Sequence, residues 1–306
     1  MKVLVTGAAG FIGGSLAAHF RALGKQVFVD AAHEDAGVTR RWPLTESGLV
    51  HAMDAEVPDV ILHAAGSGTV AKVAAQPALE LPANLSALLA VLQYAQMHAP
   101  RARVVLLSSA ALYGNAPAAP QREEEARAPV SLYGVAKAQA EQLAAYYASH
   151  QGVQTTAVRL FSVYGPGLRK QLLWDAMKKF GTGTRVFFGT GDERRDWVHI
   201  DDVCRFMARL LEVPPTNAFD AYNCAGSAAT TREVLSALAQ AAGAPAPQFS
   251  CQVRAGDPQC LVANCDKAWR SLGWRFQVPW SEGVPSYARW YQAAYPALGG
   301  SAGSNA

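Results

Sequence analysis

Apolar and polar positions follow one rhythm over the first two hundred residues and lose it afterwards. Short β-branched or aliphatic runs at Lys2-Val5, Gln26-Val29, Val60-His63, Val104-Ser108 and Thr155-Arg159 are separated by longer alanine- and leucine-rich segments. Strand-like runs spaced by helical segments predict βαβ units around a parallel sheet. Helices are predicted to begin near Phe11, Leu85, Tyr133 and Leu172, and a further short strand at Val186-Phe188. Beyond about Gly165 the order breaks at Gly-Pro-Gly, and helices near Ile200-Leu211 and Thr231-Ala242 stand between Pro- and Gly-rich turns. That pattern predicts a smaller C-terminal lobe. Its last part carries Trp269, Trp274, Phe276, Trp280, Tyr287 and Trp290, expected to pack the lobe, and the Gly/Ser/Ala tail after Gly299 has no apolar face and is expected to be disordered.

Composition narrows the function classes. With 306 residues, half of them hydrophobic, the chain can bury a full core. A net charge of +3 from 27 basic and 24 acidic residues supplies no polycation field, which argues against a nucleic-acid partner. The five cysteines, Cys204, Cys224, Cys251, Cys260 and Cys265, never form CxxC, so neither a disulfide framework nor a metal site is predicted. Glycines interrupt the N-terminal strand before any stretch long enough for a signal peptide or membrane span, so no membrane partner and a cytoplasmic setting are expected.

The first chemical motif follows the first strand: Thr6-Gly7-Ala8-Ala9-Gly10-Phe11-Ile12-Gly13, opening an apolar helix. Gly7, Gly10 and Gly13 allow a sharp turn, close approach to a pyrophosphate and tight helix packing, while the free N–H groups of the new helix at Phe11, Ile12 and Gly13 meet phosphate charge. The spacing is GxxGxxG instead of the commoner GxGxxG, and Asp30 at the end of the second strand is placed to accept the adenosine ribose hydroxyls. A carboxylate there repels a 2'-phosphate, so NAD is expected, with NADP the alternative if Arg40 and Arg41 of the next loop fold back. The predicted fold is therefore a Rossmann-type, doubly wound α/β sheet with a smaller substrate-binding lobe. The division expected is 1–165 for the dinucleotide-binding domain, with parts of 190–225 returning to it, 166–295 mainly for the lobe, and 296–306 as a flexible tail.

The second motif is Tyr133-Gly134-Val135-Ala136-Lys137, where i, i+4 spacing on a helix puts phenol and ammonium on one face. A free phenol keeps its proton to about pH 10, so a tyrosine base at neutral pH needs ~4 kcal/mol of preferential phenolate stabilisation. A neighbouring ammonium and a positive nicotinamide ring are charges that supply it. Ser108 and Ser109 end the fourth strand, where open α/β sheets place ligands. Ser109 is expected to complete the catalytic set with Tyr133 and Lys137, and Ser108 to lie against the cofactor.

At these motifs the chain resembles the extended short-chain dehydrogenase/reductase family, in its NAD-dependent nucleotide-sugar epimerase/dehydratase branch and similar to UDP-glucose 4-epimerases. The likeness covers nearly all of residues 1 to 295, through TGAAGFIG at 6–13, HAAG at 63–66, SSAALYG at 108–114, YGVAK at 133–137, RLFSVYGPG at 159–167, RRDWVHIDDV at 194–203 and RAGD at 254–257. The resemblance implies that Ala64, Ala65, Gly66, Asn84, Leu160 and Val163 border the cofactor. It further implies that Ser162, Arg195 and Arg254 meet the nucleotide-sugar diphosphate, and that two helices pair with their copies in a homodimer. Three departures matter. Ala110 and Ala111 stand where dehydratases carry acidic residues, Ser162 replaces a customary asparagine, and Trp42-Pro43-Leu44 replaces an aspartate near the adenine. The function expected is a nucleotide-sugar epimerase acting through a 4-keto sugar, with Tyr133 as general base and acid. Its alternatives are an NAD(P)H-dependent reductase of a 4-keto-6-deoxy nucleotide sugar and a non-catalytic dinucleotide-binding regulator.

Overall fold

The computed structural model describes residues 1–30, 44–53, 55–66, 69–115, 120–252 and 258–296. Its elements run β1 (Lys2–Thr6), α1 (Phe11–Ala22), β2 (Gln26–Val29), α2 (Glu46–Met53), β3 (Val60–His63), α3 (Val70–Ala75), α4 (Pro77–His98), β4 (Arg103–Ser109), α5 (Leu132–His150) and β5 (Thr155–Leu160). They continue as β6 (Ser162–Tyr164), α6 (Gln171–Gly181), β7 (Val186–Phe187), β8 (Arg194–His199), α7 (Ile200–Glu212), β9 (Phe219–Cys224), β10 (Ser227–Thr230) and α8 (Thr231–Ala242). The last are β11 (Gln248–Phe249), β12 (Cys260–Leu261), α9 (Asp266–Leu272) and α10 (Trp280–Ala294).

Six strands in the order β2-β1-β3-β4-β5-β9 form one parallel sheet. The strands read as continuous apolar runs because helices cover both faces. Val3, Val5, Val105 and Leu107 enter one core with Phe20 of α1 and Phe206 of α7. Their neighbours Leu4, Ile61, Val104 and Leu106 enter a second core with Leu88 and Val91 of α4 and Ala144 and Tyr147 of α5. The order reverses at β1, so a crevice opens between the C-terminal ends of β1 and β3, where doubly wound sheets bind ligands. A third core joins Trp197 of β8 to Leu173 of α6, Leu235 of α8 and Tyr287 and Tyr291 of α10, and forms the lobe.

Several expectations change. The helix expected near Leu85 begins at Pro77, because proline suits a first helical position, and it continues through the exposed Pro82. The strand at Val186-Phe188 is two residues long and pairs with β11 outside the main sheet. The sixth strand of that sheet, β9, escapes a reading of the sequence because Asp220 and Asn223 interrupt its apolar run. Trp274 packs elsewhere: it joins Ala268 and Leu272 in the core under β1, with its ring 5.0 Å from Phe206 of α7. Trp269 and Phe276 are exposed, whereas Trp280, Tyr287 and Trp290 do pack the lobe. The α4 helix is long and apolar enough to cross a membrane, with mean hydropathy 1.2, but here its Leu88, Val91, Leu92 and Tyr94 are buried under the sheet. The tail from 297 onward lies outside the described residues.

Candidate active site

The glycine loop forms one wall of the crevice. Gly7 has φ +74°, and a Cβ built on it would lie 2.6 Å from the Ala65 amide nitrogen, so only glycine lets the β1 and β3 loops touch. A Cβ on Gly13 would lie 2.3 Å from the Gly7 carbonyl oxygen, which is how closely α1 sits on its own entry loop. Gly10 caps α1 without a side-chain acceptor. The first-turn amides of Phe11, Ile12 and Gly13 therefore have no partner within the helix and stand at its positive end. The Asp30 carboxylate accepts from the Gly7 N–H at 2.8 Å and the Ala8 N–H at 3.4 Å, bonds that fix it beside the loop and leave lone pairs for a further donor. Ala64 and Ala65 are half-buried after β3. Gly66 abuts Asn84, whose Nδ2 donates to the Glu80 carbonyl at 2.6 Å. Arg40, Arg41 and Trp42, raised above for the adenosine end, lie outside the described residues.

The opposite wall is the start of α5. The Ser131 hydroxyl accepts from the Gly134 N–H at 3.1 Å and caps the helix, which sets Tyr133 in the first turn and Lys137 one turn on. Lys137 Nζ lies 5.8 Å from the centre of the Tyr133 ring and donates to the Leu107 carbonyl at 2.9 Å. Two residues past Leu107, Ser109 ends β4, and its Oγ accepts from the Ala111 N–H at 3.2 Å to start a 3-10 turn, Ala110–Leu112. A Cβ on Gly134 would lie 2.4 Å from the Ala111 carbonyl oxygen, so α5 begins seated on the turn that Ser109 opens. Tyr133, Lys137 and Ser109 thus come to one edge of the sheet. Tyr133 and Lys137 line a small pocket there with His63, Ala65 and Asn84.

Ser108 departs from its expected place. Successive strand residues face opposite ways, and the Ser108 hydroxyl points under α5, where it donates to Glu141 at 2.6 Å and is buried. Leu160 is buried at the end of β5, and Ser162 and Val163 are half-buried in β6, paired in register with Trp197 and Val198. Arg195 of β8 donates to the backbone carbonyls of Arg194, at 2.9 Å, and Pro258. Its neighbour Asp196 faces away and accepts from the Ala263 N–H at 2.5 Å, with burial pushing its carboxyl up to about 6. Arg254 and Asp257 lie outside the described residues.

Two further groups emerge only from the structure. His63 is buried, shares a 2.8 Å hydrogen bond with the Thr6 hydroxyl through Nδ1, and is driven down to about 3 by burial and then by the Lys137 charge. It is neutral at physiological pH. Its place in HAAG is its one mark in the sequence, since burial is a tertiary property. Glu141 is fully buried on α5 and accepts from Arg159 through Nε at 3.0 Å and Nη2 at 2.8 Å. A lone acid on the small-residue face of an alanine-rich helix, eight residues after Tyr133, is its legible signal.

The chain is 27% identical to a probable UDP-glucuronate 4-epimerase of Rhizobium meliloti, across 96% of this chain and 98% of that protein. Among solved structures it is similar to MoeE5 in complex with UDP-glucuronic acid and NAD, at 29% identity and a TM-score of 0.85, covering 96% of this chain and 100% of that one. It is also similar to the UDP-glucose 4-epimerase of Thermus thermophilus complexed with NAD, at 27% identity and a TM-score of 0.84, with 96% and 100% covered. Residues 3–225, which hold the glycine loop, Ser109, Tyr133 and Lys137, match the profile of the NAD dependent epimerase/dehydratase family, and the chain belongs to that family.

Proposed function

We propose that the chain is an NAD-dependent 4-epimerase of a UDP-linked sugar, UDP-glucose or UDP-glucuronate, working through a 4-keto sugar. The observation that carries this reading is the seating of α5 on the Ser109 turn, which brings a phenol, an ammonium and a hydroxyl to the edge of a glycine-walled crevice. Ala65, whose amide abuts Gly7, lines the same pocket as Tyr133 and Lys137. The relatives and structural neighbours named above support the substrate class.

The residues fit NAD. Gly7, Gly10 and Gly13 present backbone without side chains, the amides of Phe11, Ile12 and Gly13 suit a pyrophosphate, and Asp30 suits a ribose diol while disfavouring a 2'-phosphate. Ala64, Ala65, Gly66, Asn84, Leu160 and Val163 would complete its surroundings. NAD, when held there, would supply the hydride acceptor and donor for C4 of the sugar.

The chain's own residues handle the proton. Tyr133 Oη removes it from the C4 hydroxyl and later returns it to the same oxygen, once the sugar has presented the other face of C4. Lys137, anchored on the Leu107 carbonyl, stands with its Nζ 5.8 Å from the centre of that phenol ring. The Ser109 oxygen already accepts the Ala111 amide, which turns its own proton toward the sugar oxygen. Arg195 offers guanidinium donors to the diphosphate, with Ser162 nearby on the strand paired to β8. Ala110 and Ala111 in the 3-10 turn provide no acid or base, which disfavours elimination of water. Asp30 disfavours the NADPH-consuming reductase.

A homodimer through α4 and α5 belongs to the same reading, supported by exposed Leu79, Leu89, Met97, Leu132 and Tyr146. A cytoplasmic setting is supported by the free thiol of exposed Cys251. The test is to incubate the chain with UDP-glucose or UDP-glucuronate and follow the C4 epimer by NMR while recording NADH absorbance. Interconversion without net absorbance change is expected, and stoichiometric NADH consumption or no conversion would refute the reading.

A further inference from the structure

The catalytic helix is held by unusual means. The buried face of α5 is formed by Gly134, Ala136, Ala140, Ala144, Tyr147 and Ala148, with one charged residue, Glu141, among them. Alanine methyls are shallow knobs, so such a face resists sliding along its axis far less than one built from interlocking leucines. Directional bonds must then set where α5 stops. Two that tie α5 to β4 fall on consecutive residues of that strand: Lys137 on the Leu107 carbonyl at 2.9 Å, and Glu141 on the Ser108 hydroxyl at 2.6 Å, while from β5 Thr155 donates to the Ala144 carbonyl at 3.1 Å. The next residue of β4 is Ser109.

Glu141 is fastened from three sides. Ser108 holds it from β4 and Arg159 from β5, and these two residues are register partners in neighbouring strands. Arg127, from the segment leading into α5, adds an ion pair at 3.1 Å. Arg159 is itself fixed by the Glu123 carbonyl at 2.6 Å and the Tyr113 hydroxyl at 2.7 Å. The glutamate thus ties helix, two strands and the loop between them into one rigid joint. A buried ion pair is poor value for stability, since apolar residues of similar volume hold a core as well, so its use here calls for a positional reason.

We propose that Glu141 is a positioning residue for the reaction: clamped by Ser108 and Arg159, it sets the axial position of α5 on β4 and hence the placement of Tyr133 and Lys137 relative to Ser109. It touches neither sugar nor cofactor and acts through Tyr133. Among the described residues, the titratable groups that line the pocket with Tyr133 are Lys137 from its own helix and His63 from β3, the latter neutral.

The inference rests on Tyr133 as the proton carrier, so turnover by the parent chain and its loss in Tyr133→Phe are measured first and decide that reading separately. In Glu141→Gln, kcat is expected to fall about tenfold or more, since misplacement by a fraction of an ångström suffices, while UDP and NAD bind as before in calorimetry. The phenolate absorbance, titrated as the difference between each chain and its Tyr133→Phe counterpart, is expected to shift its midpoint upward. Ser108→Ala removes one hydroxyl and keeps the Glu141–Arg159 pair, so it carries the test if Glu141→Gln does not fold; a smaller loss of kcat of about threefold is expected, on the same positional argument. A folded variant with the parent kcat and the parent phenolate midpoint overturns the inference.

Discussion

Gly13→Ala tests the geometry on which cofactor binding is argued. The added methyl would lie 2.3 Å from the Gly7 carbonyl oxygen and 2.7 Å from its carbon, so it must retreat at least 0.7 Å to reach 3.0 Å, below which such contacts are essentially never seen. Both atoms are backbone, so no rotamer change can relieve the overlap. Alanine favours a helix over glycine by roughly 0.5–1 kcal/mol, whereas forcing one methyl into a closed contact costs about 1–3 kcal/mol. The net expectation is a loss of up to about 2.5 kcal/mol of stability. The larger effect is functional. Opening the contact pushes α1 off its loop and moves the amides of Phe11 and Ile12 from where a pyrophosphate would meet them. NAD affinity should drop ~10- to 100-fold, by the scale of energies at helix-terminal phosphate contacts and close fits. Calorimetric titration with NAD beside a urea melt separates the two effects. A variant that melts like the parent and binds NAD equally well would show that the close approach of α1 to Gly7 does not shape the cradle.

Further outcomes follow from individual side chains. His63 has its folded-state pKa depressed to about 3 from 6.5, so the unfolded chain takes up the proton first: its contribution is complete above pH 6.5 and is lost as pH falls toward 3. NMR of the His63 ring should therefore show the neutral form down to about pH 4.5, and a midpoint near 6 would contradict its burial. Asp30→Ser should relax the preference for NAD over NADP by about tenfold, through loss of a like-charge repulsion worth roughly 1.4 kcal/mol; an unchanged preference would remove Asp30 from the discrimination. Light scattering should give a homodimer, and Met97→Glu combined with Tyr146→Lys should shift it toward monomer; a parent chain that is monomeric at all concentrations would count against the α4–α5 interface.

Local structure was legible in short stretches of the chain. Apolar runs such as Val3-Leu4-Val5 and Val104-Leu107 announced strands buried on two faces, Gly7-Gly10-Gly13 announced a phosphate turn, and Tyr133 to Lys137 announced a shared helix face, because each depends on neighbours within a few residues. Which distant groups meet emerged from packing alone. Asp220 and Asn223 made β9 unreadable until the edge of β5 paired with it. Trp274 could be assigned to a core only once α9 had returned to α7. Ser108 and Ser109 are equivalent in the sequence, yet strand alternation sends one to Glu141 beneath α5 and leaves the other at the crevice. Burial, which makes His63 neutral and gives the Glu141–Arg159 pair its rigidity, is a property of packing among residues far apart in the chain, and no short window of sequence encodes it.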